Sequence, residues 1–189
     1  MKHSKTVRFL ISFFNPQSLE DIAQNLLTLG EAAQVKEMAL LQAAKFRSTI
    51  QQYKTVADSL TTIPSLYWEW WPNPLFSPGG VNWLTEISRL AGGYNLFEEV
   101  DMASIQVPSE EVQSKDPDHI CLAWVGVPLH KVNPEVIKKR KGWSEMKAVQ
   151  ANKIHIMEEP LFCRPSPRLL EGLAKLARTL HPEAYRHIH

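Results

Sequence analysis

The order of segments along this chain predicts an α/β fold: a three-layer lobe with a mostly parallel sheet, attached to one long helix. Three observations carry that expectation. Branched and aromatic runs of strand length alternate with amphipathic stretches of helical period, which is the order that strand–helix–strand units require. The stretch from Val35 to Leu60 holds no glycine or proline and is rich in Ala, Gln, Lys and Leu, so it reads as a single helix. Pro, Gly and aromatic residues gather immediately after the strand-like runs, where open α/β sheets bind their ligands.

Taken in order, Val7 to Phe14 reads as a buried strand from its branched and aromatic content, interrupted only by Arg8 and Ser12. Asn15-Pro16-Gln17 turns the chain, and Ser18 with Asp21 forms a capping box for a helix reaching about Leu29, where Gly30 is the expected stop. After the long helix, Leu66, Trp68 and Trp70 fall on one face of a strand and Tyr67, Glu69 and Trp71 on the other. A punctuated loop, Pro72 to Gly80, leads into an amphipathic helix over Val81 to Leu90 that ends at Gly92-Gly93. Ser109 caps a short helix, and Asp116-Pro117-Asp118 turns into an apolar strand from Ile120 to Val125. Helices over Pro134 to Lys141 and Trp143 to Gln150, a strand over Lys153 to Met157 and a helix from Pro167 to Leu180 complete the reading.

Composition narrows the function. The chain has 189 residues, 44% of them hydrophobic, enough for a core that needs no disulfide or metal staple. Its 21 basic and 20 acidic residues give a net charge of +1, which offers no electrostatic case for nucleic acid or an anionic membrane. The run Lys138-Lys139-Arg140-Lys141 reads as cations at a helix end. The two cysteines, Cys121 and Cys163, have no paired spacing, and Cys121 in its apolar run reads as a small buried hydrophobe. His119, His130, His155 and His181 lie far apart without ligand spacing, and no nucleophile-elbow, zinc-protease or P-loop motif occurs, so the chain reads as a non-enzyme without a metal. No stretch at the N-terminus has the length of a membrane span or a small-residue cleavage site, so no signal peptide is expected in it.

Candidate binding residues stand at the three strand ends: Trp70, Trp71 and Phe76, then Trp124, then Phe162. Aromatic surface converging on one rim suits a flat, largely apolar ring ligand. Gly79 and Gly80 open the following helix, where free backbone N–H groups could hold an anion. Trp68, Trp83 and Trp143 read equally well as core, and Glu69, between two tryptophans, reads as a hydrogen-bonding or docking residue.

At these loops the sequence resembles the cobalamin-binding solute-binding proteins of ABC importers, the class with a helical backbone between lobes. The resemblance rests on Asn15 to Ile22, on Glu69-Trp70-Trp71-Pro72-Asn73-Pro74-Leu75-Phe76 and on Ala91 to Phe97. Gly142-Trp143, Arg164 to Leu169 and His181-Pro182-Glu183 continue it, so that it covers roughly Val7 to Glu183. It implies two α/β lobes joined by one long helix, with a corrinoid held between them. On that pattern residues 1–34 are a remnant of the first lobe, 35–62 the inter-lobe helix and 63–189 the C-terminal ligand-binding lobe. A first lobe of roughly a hundred residues would precede Val7 in the family and is absent from this sequence. Trp70 and Phe76 match positions where the family sets aromatics against the corrin ring, and Gly79 and Gly80 match the turn beside the cleft. Phe162 lies next to a family aromatic position held here by Leu161. A glutamate that docks on an importer permease in better-known relatives is matched by Cys163, with Glu158 and Glu159 nearby. The resemblance implies export to the periplasm or cell exterior; the readings beside it are a ferric siderophore or haem as ligand, a protein-interaction domain that no longer binds a small molecule, and, in the absence of a signal peptide, a cytoplasmic protein.

Overall fold

The computed structural model describes residues 13–188. The strand expected over Val7 to Phe14 falls for the most part outside the described residues, and Phe13 and Phe14 are not in a strand. Two antiparallel helices come first, α1 (Leu19–Ala32) and α2 (Lys36–Ala57). The expected capping box is present: the Ser18 hydroxyl accepts from the Asp21 amide at 3.0 Å, and the Asp21 carboxylate accepts from the Ser18 amide at 3.0 Å. Gly30, expected as a stop, instead lies inside α1. A Cβ there would stand 2.1 Å from Ala39 Cβ, so this glycine lets α1 and α2 approach each other. The reversal comes later, at Gln34, which takes the left-handed conformation with φ of 60°.

The body is built from β1 (Ser65–Glu69), β2 (Trp71–Pro72), β3 (Leu75–Pro78), α3 (Trp83–Leu90), β4 (Tyr94–Asn95) and β5 (Ser104–Gln106). It continues with α4 (Ser109–Lys115), β6 (His119–Leu122), α5 (Glu135–Lys138), α6 (Lys147–Gln150), β7 (Ile154–Ile156), α7 (Glu159–Phe162) and α8 (Leu169–Leu180). The main sheet has the order β4-β1-β6-β7 and every pairing in it is parallel. A small antiparallel sheet, β2-β3-β5, follows the carboxyl end of β1. No regular period marked this ribbon in the sequence, because strands of two to four residues are too short to show one.

The alternation read along β1 holds in three dimensions. Leu66 and Trp68 join Cys121 and Ala123 in one core, beneath α1, α2, α3 and α8. Tyr67 joins Ile120 and Leu122 in a second core on the opposite face, with Val112 of α4, Ile137 of α5 and Trp143. Helix, parallel sheet, helix is therefore the layering, as the sequence predicts. Several boundaries differ. Ser109 does not cap α4; its hydroxyl accepts from the Trp143 indole at 2.8 Å, and Pro108 occupies the cap position. The segment after Trp143 is a short 3₁₀ turn followed by the four-residue α6.

Candidate functional site

The carboxyl ends of β1 and β6 meet the ribbon, and backbone hydrogen bonds fix how. Trp70 N–H donates to the Phe76 carbonyl at 2.8 Å, and the Trp70 carbonyl accepts from the Val125 amide at 3.2 Å. Trp71 stands directly opposite Phe76 across β2–β3, so their side chains share one face of the ribbon. Trp71 is 43% exposed, and its indole N–H donates to the Asn73 carbonyl two residues on, at 3.0 Å. Trp70 is half-buried with its ring against Trp83, centroids 5.8 Å apart, and Val125 is exposed beside it. Two aromatic pairs therefore stand near the strand ends: Trp71 with Phe76 on one face of the ribbon, and Trp70 with Trp83 against the first core. Trp83, which reads equally well as core, packs against the first core; its N–H is held by the Phe162 carbonyl at 2.8 Å, a pairing across α3 and α7 that no local pattern reveals.

The other two aromatics expected on this rim are core residues. Phe162 is 1% exposed, with its ring 5.6 Å from that of Trp68. Trp124 is 8% exposed and turned into the second core, its N–H donating to Glu69 at 3.0 Å. Both follow a strand, as predicted, but each ring points back under the sheet rather than out. Gly79 and Gly80 also differ from the anion-binding reading. Their amides donate to the carbonyls of Ala103 and Val100, at 3.4 and 2.7 Å, so neither is free for an anion. Cβ atoms at these positions would lie 2.3 Å from the Met102 carbonyl and 2.4 Å from the Glu98 carbonyl. Close backbone packing is what these glycines provide.

Behind the aromatic face lies a buried polar cluster. Glu69, fully buried, accepts from both terminal nitrogens of Arg140, from Trp124 Nε1 and from the Tyr67 hydroxyl at 3.2 Å. The Arg140 guanidinium stacks over the Trp143 ring at 4.5 Å. Arg140 is therefore no surface decoration of a helix end: it is the cation that a buried carboxylate demands. Burial first, and then the Glu69 charge, hold the Tyr67 phenol well above its usual range. The signal for this cluster was a glutamate on an otherwise apolar strand; which cation answers it is a long-range fact.

Glu158 and Glu159 are half-buried and paired, with Lys175 and Arg164 respectively. They border a groove of about 470 Å³ with Val127, Pro128 and Leu161. Cys163, beside them, donates its thiol to the Ala123 carbonyl at 3.2 Å, and burial pushes it up to about 12. His119 and His155, distant in sequence, meet at 2.9 Å, a contact the sequence reading did not foresee. Among the described residues no group of three or more His, Cys, Asp or Glu is placed to hold a metal, and no helix is long and apolar enough to cross a membrane.

Fold and face together define a three-layer α/β lobe with exposed aromatic surface at its strand ends. The chain belongs to the periplasmic binding protein family, whose pattern matches residues 2–161. It is 23% identical over 173 residues to an uncharacterized ABC transporter substrate-binding lipoprotein of Bacillus subtilis, covering 90% of this chain and 53% of that one. It is 25% identical over 172 residues to a vitamin B12-binding protein of Vibrio vulnificus, covering 89% of this chain and 59% of the relative. The crystal structure of an ABC transporter substrate-binding protein from Listeria monocytogenes superposes with a TM-score of 0.81 at 23% identity, over 91% of this chain and 68% of that chain. The chain thus spans little more than half the length of these curated relatives.

Proposed function

We propose that this chain is a solute-binding lobe of an ABC importer and binds a corrinoid, cobalamin in the first instance, against its strand-end aromatic face. On this reading residues 63–189 form the ligand-binding lobe, residues 35–62 are the helix that joins it to a partner lobe, and residues 1–34 belong with that partner lobe. The observation that carries it is the Trp71–Phe76 pair, a large exposed indole directly across the ribbon from a second aromatic ring. Rigid aromatic surface of this kind binds flat rings by area and stacking. The vitamin B12-binding relative supplies the ligand class. Glu158 and Glu159 are proposed to face a permease, and the site performs binding rather than catalysis.

Calorimetric titration with cyanocobalamin tests this, with haem and a ferric siderophore as comparators. Saturable binding of cyanocobalamin with a Kd near micromolar, about −8 kcal/mol, is the expected result. Replacing Trp71 and Phe76 together by Ala should weaken it by at least roughly tenfold while the far-ultraviolet spectrum stays unchanged. Preference for haem or the siderophore would reassign the ligand. Corrinoid binding unchanged in the double variant would overturn the site.

A further inference from the structure

At the end of the sheet away from the aromatic face, His119 opens β6, and His155 sits on its edge neighbour β7. Their ring planes lie within 19° of each other with centroids 5.1 Å apart, and His119 Nδ1 lies 2.9 Å from His155 Nε2. Among the described residues β7 has no strand neighbour on its other side, so its attachment rests on β6. Backbone bonds supply part of that attachment, Ile120 N–H to the Lys153 carbonyl at 3.0 Å and Met157 N–H to the Leu122 carbonyl at 2.9 Å. The imidazole pair is a polar side-chain link between the same two strands, beside the apolar contacts of Met157 and Ile154 with the two cores.

We propose that the His119–His155 contact is a proton-sensitive latch that fastens edge strand β7 to β6 at neutral pH and releases it as the medium acidifies. The proton count of the contact is the reason. Two neutral rings share one hydrogen, one nitrogen donating and the other accepting with its lone pair. A first added proton goes to the outer nitrogen of the donor ring; it leaves the contact in place but puts a charge on a buried or half-buried ring. A second would set N–H against N–H across 2.9 Å and break the contact. Separated and hydrated, the two rings accept two protons, so acid favours separation.

The surroundings reinforce this. Burial, then the facing His155, then Lys153 bring His119 down to about 4, with His181 acting in the same direction and Asp118 opposing. Asp118 is itself engaged by Ser65 and Lys147. Burial and then Lys153 lower His155 as well, and Glu158, Lys175 and Arg178 line with His155 a second groove of about 700 Å³. A histidine lowered in the folded state contributes its full stability above its free value of 6.5, and that contribution declines as pH falls from 6.5 towards 4. The strand released leads directly into α7, whose Phe162 carbonyl holds the Trp83 indole beside Trp70.

Hydrogen exchange on the full chain, corrected for intrinsic rates, tests the latch together with ¹⁵N titration of the imidazoles. Protection of the Ile120 and Met157 amides should fall by at least roughly tenfold between pH 7.5 and pH 5. The loss should be absent from α1 and α2, and neither imidazole should titrate near 6.5 in the folded protein. In His119→Asn/His155→Asn the pH-dependent part of the loss should disappear. A normal titration of either ring, or β6–β7 protection independent of pH, overturns the proposal. The wild-type measurements decide the matter even if the double variant fails to fold.

Discussion

Glu69 concentrates the electrostatics of this molecule in one side chain. Its carboxylate has four donors, and Arg140 provides two of them in a forked arrangement. Removing the cation strands the charge. Arg140→Met is therefore expected to cost about 3–5 kcal/mol, read as a lower denaturant midpoint. The double variant Glu69→Leu/Arg140→Met should recover much of that loss, because no buried charge is left unpaired. Half of this pair was legible in the sequence, since a glutamate between Trp68 and Trp70 on an apolar strand stands out. The other half was not: Arg140 sits 71 residues away in a basic run, and which member of the run turns inward depends on the packing of Trp143. The same limit explains Trp124 and Phe162. Their position after strands was readable, whereas the direction of each ring is decided by the cores beneath.

Helices with side-chain caps and long uninterrupted period were the elements the sequence specified best. Ser18 and Asp21 begin α1 as expected, and the long helix is present as the 22-residue α2. Gly30 shows where local reading fails. A glycine at the end of an apolar period looks like a terminator, yet here it is a contact between two helices. Gly30→Ala would ordinarily gain up to about 1 kcal/mol of helix propensity. The 2.1 Å clash with Ala39 Cβ reverses the sign, and a net loss of about 1–3 kcal/mol is expected. Chemical denaturation of Gly30→Ala against Gly30→Ala/Ala39→Gly checks it, with recovery expected in the double variant. The ribbon β2-β3-β5 escaped prediction for a different reason: its strands are two to four residues long, and Pro72, Pro74 and Pro78 mask their extended character.

For the whole molecule, layer order and sheet direction were readable because they follow from the sequence of element types, while the site is shaped by contacts between layers. Helix α2 makes the point at large scale. Its Phe46 and Tyr53 are buried in the first core, whereas Met38 and Leu41 are 64% and 66% exposed. The two thiols report on the integrity of the same layers. Cys121 is fully buried and Cys163 half-buried, and burial raises both above the ordinary thiol range. Under native conditions at pH 8, neither should react with a disulfide reagent at more than about a hundredth of the rate of a free thiol. Two equivalents should react at once in denaturant, and rapid native labelling of either would show that the core opens.

Five of the six indole N–H groups have named acceptors: Ser88 for Trp68, the Asn73 carbonyl for Trp71, the Phe162 carbonyl for Trp83, Glu69 for Trp124 and Ser109 for Trp143. Trp70 Nε1 is buried without one among the described residues. These acceptors lie in both cores, in the ribbon and at the junction of α3 with α7, so the indole region of a single nitrogen-correlated spectrum is a labelled map of the fold. Each cross-peak has its own address, and the order in which the peaks fade on heating or move on titration reads out which layer yields first.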